Sequence, residues 1–396
     1  MKITEVRTYL HKDFPNLVHV EVVTDEGLVG LGESYYFAST IAHYINDFAA
    51  PAIIGRDPLA REEINRILTS YVVYNGSGAE TRARSAIDIA LWDIAAQSAD
   101  VPLYKFLGGD PRSIGIYNTC AGKGYMRRSN QSSRSWGIDH DSVELEDLHA
   151  FMTDAGSLAT ELLSEGISTM KIWPFDLFAE KNWGREISDE DLKAGLIPIQ
   201  KIRDAVGSKM RIMIELHGLW SPTGAFKIMT ALKDYDIFWV EDPIYPDLID
   251  DYELLRSNGL PKIAHGETIA SRQRVKHLVN RNLIDFLTLD LSWCGGLTEG
   301  LVFAEIAKAG GVRIAPHDCT GPIGLLAGSH LTIADQNAEI QETVRAAFRT
   351  WYPHLVTQLP EISGGSLSLS TLPGLGTQLR SEFKTSPGMV LAQSRA

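Results

Sequence analysis

Three glutamates in this chain are placed so that they could work together. Glu215, Glu241 and Glu267 each end the apolar, β-branched run of a short stretch: 212–220 (IMIELHGLW), 237–244 (IFWVEDPI) and 263–269 (IAHGETI). The spacing is 26 residues both times. That is about one strand, one loop and one helix, the repeat of a β/α unit. Three successive parallel strands would then each deliver one carboxylate to a C-terminal end. In a barrel of such units that is the face where active sites are built. Converging carboxylates repel one another unless a cation neutralises them. An all-oxygen donor set, with no cysteine and no required histidine, favours Mg²⁺.

Further residues follow in the same register. Asp290 ends a run in LTLDLSWCGG and His317 ends the next in VRIAPHDC. A carboxylate and an imidazole on adjacent strand ends can hydrogen-bond. The aspartate then orients the ring and raises its basicity, which makes His317 a candidate general base. Glu342 ends the following run (EIQET). Lys171, in STMKIWPF, places a cation on the opposite side of the mouth. His217 lies two residues beyond Glu215, so on an extended stretch both face the same way.

The elements that must position these groups are legible as two patterns. Residues 1–30 alternate apolar and polar, and strands are expected over 2–10, 17–24 and 28–33, with a loop around Phe14-Pro15-Asn16. Helices are expected over 39–52, over 58–71 with Pro58 in the first turn, and over 81–97. The glycine-rich loop Tyr74-Asn75-Gly76-Ser77-Gly78 lies between the last two. A sheet followed by helices is an α+β domain, residues 1–112. From Ile114 the pattern changes to strand and helix in alternation. Strands are expected at 114–120, 168–173, 211–215, 237–241, 262–266, 284–289, 312–315 and 338–342. Helices are expected near 147–165, 189–206, 223–234, 247–257, 271–280, 297–309 and 322–334, with Ser188 and Asp191 forming a capping box for the second. This unit spans 113–358, and the polar segment 121–146 follows its first strand on the active-site face. Residues 359–396 show no further β/α unit.

Composition is that of an ordinary globular enzyme. At 396 residues the chain is too long for one core, so a barrel plus a smaller domain is a natural division. A net charge of −13 argues against nucleic acid as a partner. The three scattered cysteines, Cys120, Cys294 and Cys319, indicate a reducing, cytoplasmic setting without a disulfide framework. The N-terminal MKITEVRTYL has no apolar stretch that would serve as a signal peptide or a membrane span.

Together these features resemble the enolase superfamily in its mandelate racemase subgroup. The resemblance rests on the strands of residues 2–33, the SAIDIALWDIAAQ helix, the Glu215/Glu241/Glu267 ladder, the Asp290–His317 pair, Glu342 and the PGLG tail. It implies a modified TIM barrel, (β/α)₇β, covered by an α+β capping domain to which the C-terminal segment returns. It implies abstraction of a proton α to a carboxylate, with Mg²⁺ on the three glutamates stabilising the enediolate. Lys171 and Glu342 would assist at the substrate carboxylate. The family often carries Lys-x-Lys at the end of the second strand, whereas this chain has Lys171-Ile172-Trp173. The second base is missing, which disfavours racemisation. The first metal ligand, usually aspartate, is Glu215 here.

Glu215-x-His217 resembles the Asp-x-His of acid-sugar dehydratases of the galactonate and mannonate type, where the histidine protonates a departing hydroxyl. The expected reaction is therefore dehydration of an aldonate to a 2-keto-3-deoxy acid, a hydro-lyase activity. A cycloisomerase acting on lactones or anhydro sugar acids, an epimerase, and a metal-binding barrel without catalysis are the alternatives. Trp173, Tyr74 and Phe14 are the expected substrate-binding aromatics. The partner is a small carboxylate rather than a nucleic acid or a membrane, and the family implies a homo-oligomer of even number.

Overall fold

The computed structural model describes residues 1–69, 78–125, 144–256, 259–318 and 320–395. Tyr74, Cys319 and most of the 121–146 segment lie outside the described residues.

The chain opens with three antiparallel strands, β1 (Ile3–His11), β2 (Phe14–Thr24) and β3 (Val29–Tyr35). Phe14-Pro15-Asn16 is not the loop expected between the first two. It begins β2, and the reversal is confined to Lys12-Asp13 because His11 pairs directly with Phe14. The helix expected from Pro58 starts instead at Arg61 and runs to Leu68. The side chain of Asp57 accepts from the Leu59 amide at 3.0 Å, an Asx turn that delays the helix. The helix Ala79–Ser98 is buried along almost its whole length. One side lies so close to β3 that a Cβ at Gly30 or Gly32 would come within 2.0 or 1.8 Å of the Ala90 and Ala86 carbonyls. Only glycine allows that approach. Arg82, Asp88 and Asp93 are buried along with its apolar residues, so the helix needs cover on every side, and the barrel supplies the rest.

The barrel strands are β4 (Ile114–Thr119), β5 (Thr169–Ile172), β6 (Arg211–Glu215), β7 (Ile237–Glu241), β8 (Lys262–His265), β9 (Phe286–Leu287), β10 (Arg313–Ile314) and β11 (Gln341–Thr343). Neighbours pair in parallel from β4 to β10. A bridge from Ile314 to Ala338 and the β11–β4 ladder close the ring. The architecture is a (β/α)₇β barrel with a capping domain. Ser188 caps the helix Asp189–Val206 by accepting from the Asp191 amide at 3.0 Å, as the sequence predicts. The helix expected over 247–257 is reduced to Tyr252–Leu255 after a 3₁₀ turn.

The tail holds a hairpin, β12 (Glu361–Ser363) and β13 (Ser366–Ser368), and a last strand, β14 (Met389–Arg395). β14 pairs antiparallel with β1, giving the cap sheet the order β14-β1-β2-β3. Sequence periodicity alone did not predict that strand.

Buried carboxylates on the long helix tie cap to barrel and tail. Asp88 accepts from the Thr298 amide at 2.8 Å and its hydroxyl at 2.6 Å. Asp93 accepts from the amides of Leu31 at 2.9 Å and Leu375 at 2.7 Å. His330, on the helix Pro322–Ala334, makes a similar tie with a different pH dependence. Its Nδ1 accepts from the Tyr104 amide at 2.9 Å, which requires the neutral ring. Burial pushes its pKa down from 6.5 to about 4. Between those values the unfolded chain binds a proton that the folded chain refuses, so this group's stabilisation is complete above pH 6.5 and is lost as pH falls toward 4. The full effect is on the order of 3 kcal/mol. His330→Asn removes the titration. Its thermal midpoint is expected to fall less between pH 7 and pH 4.5 than that of the wild type, and equal losses in the two proteins would refute the coupling.

Candidate active site

The strand ends meet where the ladder requires. One ligand atom from each of Glu215, Glu241 and Glu267 lies within 4.8 Å of the others. Glu215 and Glu241 are register partners on β6 and β7, so their side chains share one level of the barrel. Glu267 comes from the turn after β8, past Gly266 at φ 143°, a conformation that L side chains rarely adopt.

Lys171 is not across the mouth from these groups. Its Nζ lies 3.0 Å from Glu241, 3.4 Å from Glu215 and 2.9 Å from Glu342. The reason is register: β5 sits beside β6, and Lys171 pairs with Met213 at the level just below Glu215. Burial opposes its charge, but Glu241 and Glu342 outweigh burial and hold the ammonium far above its usual range. Glu342 is an ionised acceptor. Burial raises its pKa, yet Lys171, His317, the Thr119 hydroxyl and the Asp318 amide at 2.9 Å together bring it to about 2.

The donor set fits a divalent cation. Burial, opposed by Lys171 but joined by Glu215 and Glu342, pushes Glu241 well above its ordinary value; burial, against the pull of His317, brings Glu267 up to about 7. Glu215 Oε2 and Glu241 Oε1 are buried with no hydrogen-bond partner among the described residues. Hard oxygens that are crowded, dry and partly unpartnered match the demands of Mg²⁺.

Two histidines flank this centre, each supported on Nδ1 by an aspartate. His317 Nδ1 lies 2.8 Å from Asp290 Oδ2, and its Nε2 lies 3.2 Å from Glu267. Burial would lower its pKa, but Glu267 and Glu342 keep it well above the usual value. A cation shared by Glu267 would remove much of that pull and free Nε2 to accept a proton. On the other side His217 Nδ1 lies 2.6 Å from Asp176 Oδ2. His217 is not extended, as expected, but left-handed at φ 49°. β6 stops at Glu215, and Glu215 Oε1 accepts from the His217 amide at 2.7 Å, which turns the chain. Burial lowers the His217 pKa, but Asp176 and Glu215 raise it to about 10.

Of the three expected aromatics, Trp173 is at the site, its ring 5.8 Å from that of His217. Phe14 instead packs in an aromatic cluster with Trp351 at 5.1 Å, His11 at 5.8 Å and Phe383 at 6.3 Å, because β2 begins with it. Tyr74 lies outside the described residues. The sequence did not single out a further cap residue, Arg82. Arg82, buried on the helix Ala79–Ser98, stacks 4.3 Å above the Trp293 ring and donates to the Tyr35 carbonyl at 2.7 Å. Trp293 in turn lies 5.1 Å from the His317 ring. The sequence also missed Asp176 and the buried Asp242–His265 pair, 2.5 Å apart between β7 and β8. Each of these acids lies next to a proline or an aromatic beyond a strand end, and no periodicity marks it.

Such a barrel, with three strand-end carboxylates between two histidines, defines a class, and comparison with known proteins agrees. Residues 8–108 match the mandelate racemase / muconate lactonizing enzyme N-terminal domain, and residues 154–383 match the enolase C-terminal domain-like family. The chain belongs to the enolase superfamily, in its mandelate racemase subgroup. It is an enzyme of the lyase class. A D-galactonate dehydratase family member from Salmonella virchow is 29% identical over 96% of this chain and 92% of its own. A D-mannonate dehydratase from Rhizorhabdus wittichii is 27% identical over 96% and 93%. Among solved structures, an enolase from Sargasso Sea environmental sequencing superposes with a TM-score of 0.88 at 41% identity, covering 100% of this chain and 99% of the other. No described helix is long and apolar enough to cross a membrane.

Proposed function

We propose that this enzyme dehydrates a sugar acid of the aldonate type to a 2-keto-3-deoxy acid. The observation that carries the reading is the pair of Asp–His dyads on opposite sides of the glutamate cluster. His217 follows β6 and His317 follows β10, four strands apart in an eight-strand ring. They therefore face each other across the mouth.

The α-proton of a carboxylate is weakly acidic, and its removal needs both a base and charge stabilisation. His317 Nε2 takes the proton from C2, with Asp290 holding the opposite nitrogen. Glu215, Glu241 and Glu267 would hold Mg²⁺, which when bound supplies Lewis-acid stabilisation for the substrate carboxylate and its developing charge. Lys171, kept cationic among its carboxylates, adds positive charge on the same side. The electron pair left at C2 forms the C2–C3 double bond and expels the 3-hydroxyl. His217 Nε2 protonates that hydroxyl, so one water leaves. The enol then takes a proton at C3 and becomes the keto acid. Racemisation needs a second base facing His317. The end of β5 offers Trp173, 2% exposed, at the position where such a base would stand.

The relatives named for galactonate, mannonate and xylonate supply the acids for the first screen. D-Galactonate, D-mannonate, D-xylonate and their epimers are incubated with enzyme and Mg²⁺ in D₂O and analysed by mass spectrometry. The expected product lacks one water and reacts as an α-keto acid. His217→Asn is expected to slow its formation by about 10²–10⁴-fold, the usual contribution of a positioned acid. An isomer of unchanged mass would overturn dehydration in favour of cycloisomerisation or epimerisation.

A further inference from the structure

The two dyads are built in the same way. Asp290 lies after β9 and supports His317, which lies after the adjacent β10. Asp176 opens the short helix Asp176–Ala179 after β5 and supports His217, which lies after the adjacent β6. In each case the aspartate comes from the preceding strand's loop and takes Nδ1, so Nε2 is the nitrogen left for the substrate. From this correspondence we infer that Asp176 is the positioning residue for the second half of the reaction, dedicated to the proton that leaves with the hydroxyl.

Three observations support it. The Asp176 side chain is 6% exposed, and its Oδ2 lies 2.6 Å from the ring nitrogen. Its Oδ1 is buried without a hydrogen-bond partner among the described residues, so His217 is the group that Oδ2 serves. Trp173 packs edge-on against the His217 ring at 75°, on the face of the site where that hydrogen bond forms. A carboxylate can only accept here, so Nδ1 carries hydrogen, and the ring that donates from Nε2 is the doubly protonated imidazolium held beside the aspartate's charge. An amide in its place brings no charge to hold that cation and can donate to an unprotonated Nδ1 instead, as in other Asp–His pairs where the geometry survives and the rate does not.

The inference rests on the dehydratase reading, and the test separates the two. Asp176→Asn and wild type are compared in D₂O on the acid that wild type dehydrates, with folding checked by thermal midpoint. The expected result is a split. Exchange of the C2 proton, which depends on His317, stays within about threefold of wild type, while water loss falls by about 10²–10⁴-fold. The 3-deoxy-3-fluoro analogue of the same acid gives the second arm. Fluoride departs without a proton, so Asp176→Asn is expected to eliminate it at a rate close to that of wild type. The double variant Asp176→Asn/His217→Asn is expected to be no slower than His217→Asn alone, because the two residues act as one unit. Equal loss of exchange and of water elimination, with fluoride elimination also lost, would make Asp176 a structural residue and overturn the inference. Undiminished water loss would overturn it as well. If wild type exchanges the C2 proton but releases no water from any acid, the dehydratase reading itself fails, and the role of Asp176 falls with it.

Discussion

His317→Asn is expected to abolish both partial reactions at once. Asparagine keeps a polar group of similar reach but has no basic nitrogen, so the proposed acceptor of the C2 proton is lost. The loss in turnover is expected to be about 10²–10⁴-fold or more, and C2 exchange in D₂O should fall with it. That distinguishes His317 from His217, whose loss should spare exchange. The substitution also removes the hydrogen bond to Asp290 and the 3.2 Å contact with Glu267. Asp290 retains a bond of 2.6 Å from the Ser292 amide, so the loop keeps a tether and the fold is expected to survive. Exchange at more than a tenth of the wild-type rate in a folded His317→Asn enzyme would remove His317 from the base role.

Glu241→Gln is the second large effect, and it is read by stability as well as by rate. Glu241 is the middle member of the glutamate cluster, fully buried, with Lys171 at 3.0 Å and the Trp239 indole donating at 3.1 Å. A neutral amide is a poor ligand for a hard cation. Saturation at a hundred times the dissociation constant stabilises a protein by about 2.7 kcal/mol. Wild type is therefore expected to gain several degrees in thermal midpoint when Mg²⁺ replaces EDTA, and Glu241→Gln little or none. In EDTA the variant should be no less stable than wild type. It gives up one of several crowded carboxylates, while Lys171 keeps Glu342 at 2.9 Å and Glu215 at 3.4 Å. Turnover should fall below detection. An unchanged Mg²⁺ shift in Glu241→Gln would mean that the metal binds elsewhere.

Period and residue type were enough to set the barrel and its central cluster. Apolar runs ending in Glu215, Glu241 and Glu267 at equal intervals fix successive β/α units, and a parallel strand cannot place its end anywhere but on the common face. The barrel strands, the two long helices at 189–206 and 297–309, the glutamate cluster and the Asp290–His317 pair were therefore legible along the chain. Tertiary structure decided the rest, because those contacts join residues whose separation carries no period. β14 reaches β1 across almost the whole chain, and no short-range pattern encodes that pairing. Lys171 read as a cation across the mouth because its three carboxylates come from other strands. Phe14 read as a loop aromatic because the turn before it needs only two residues. Asp176 was invisible because its meaning depends on His217, which a left-handed turn swings toward it from the neighbouring strand. A strand end specifies a position on the face, but only packing between neighbouring loops determines which side chains meet there.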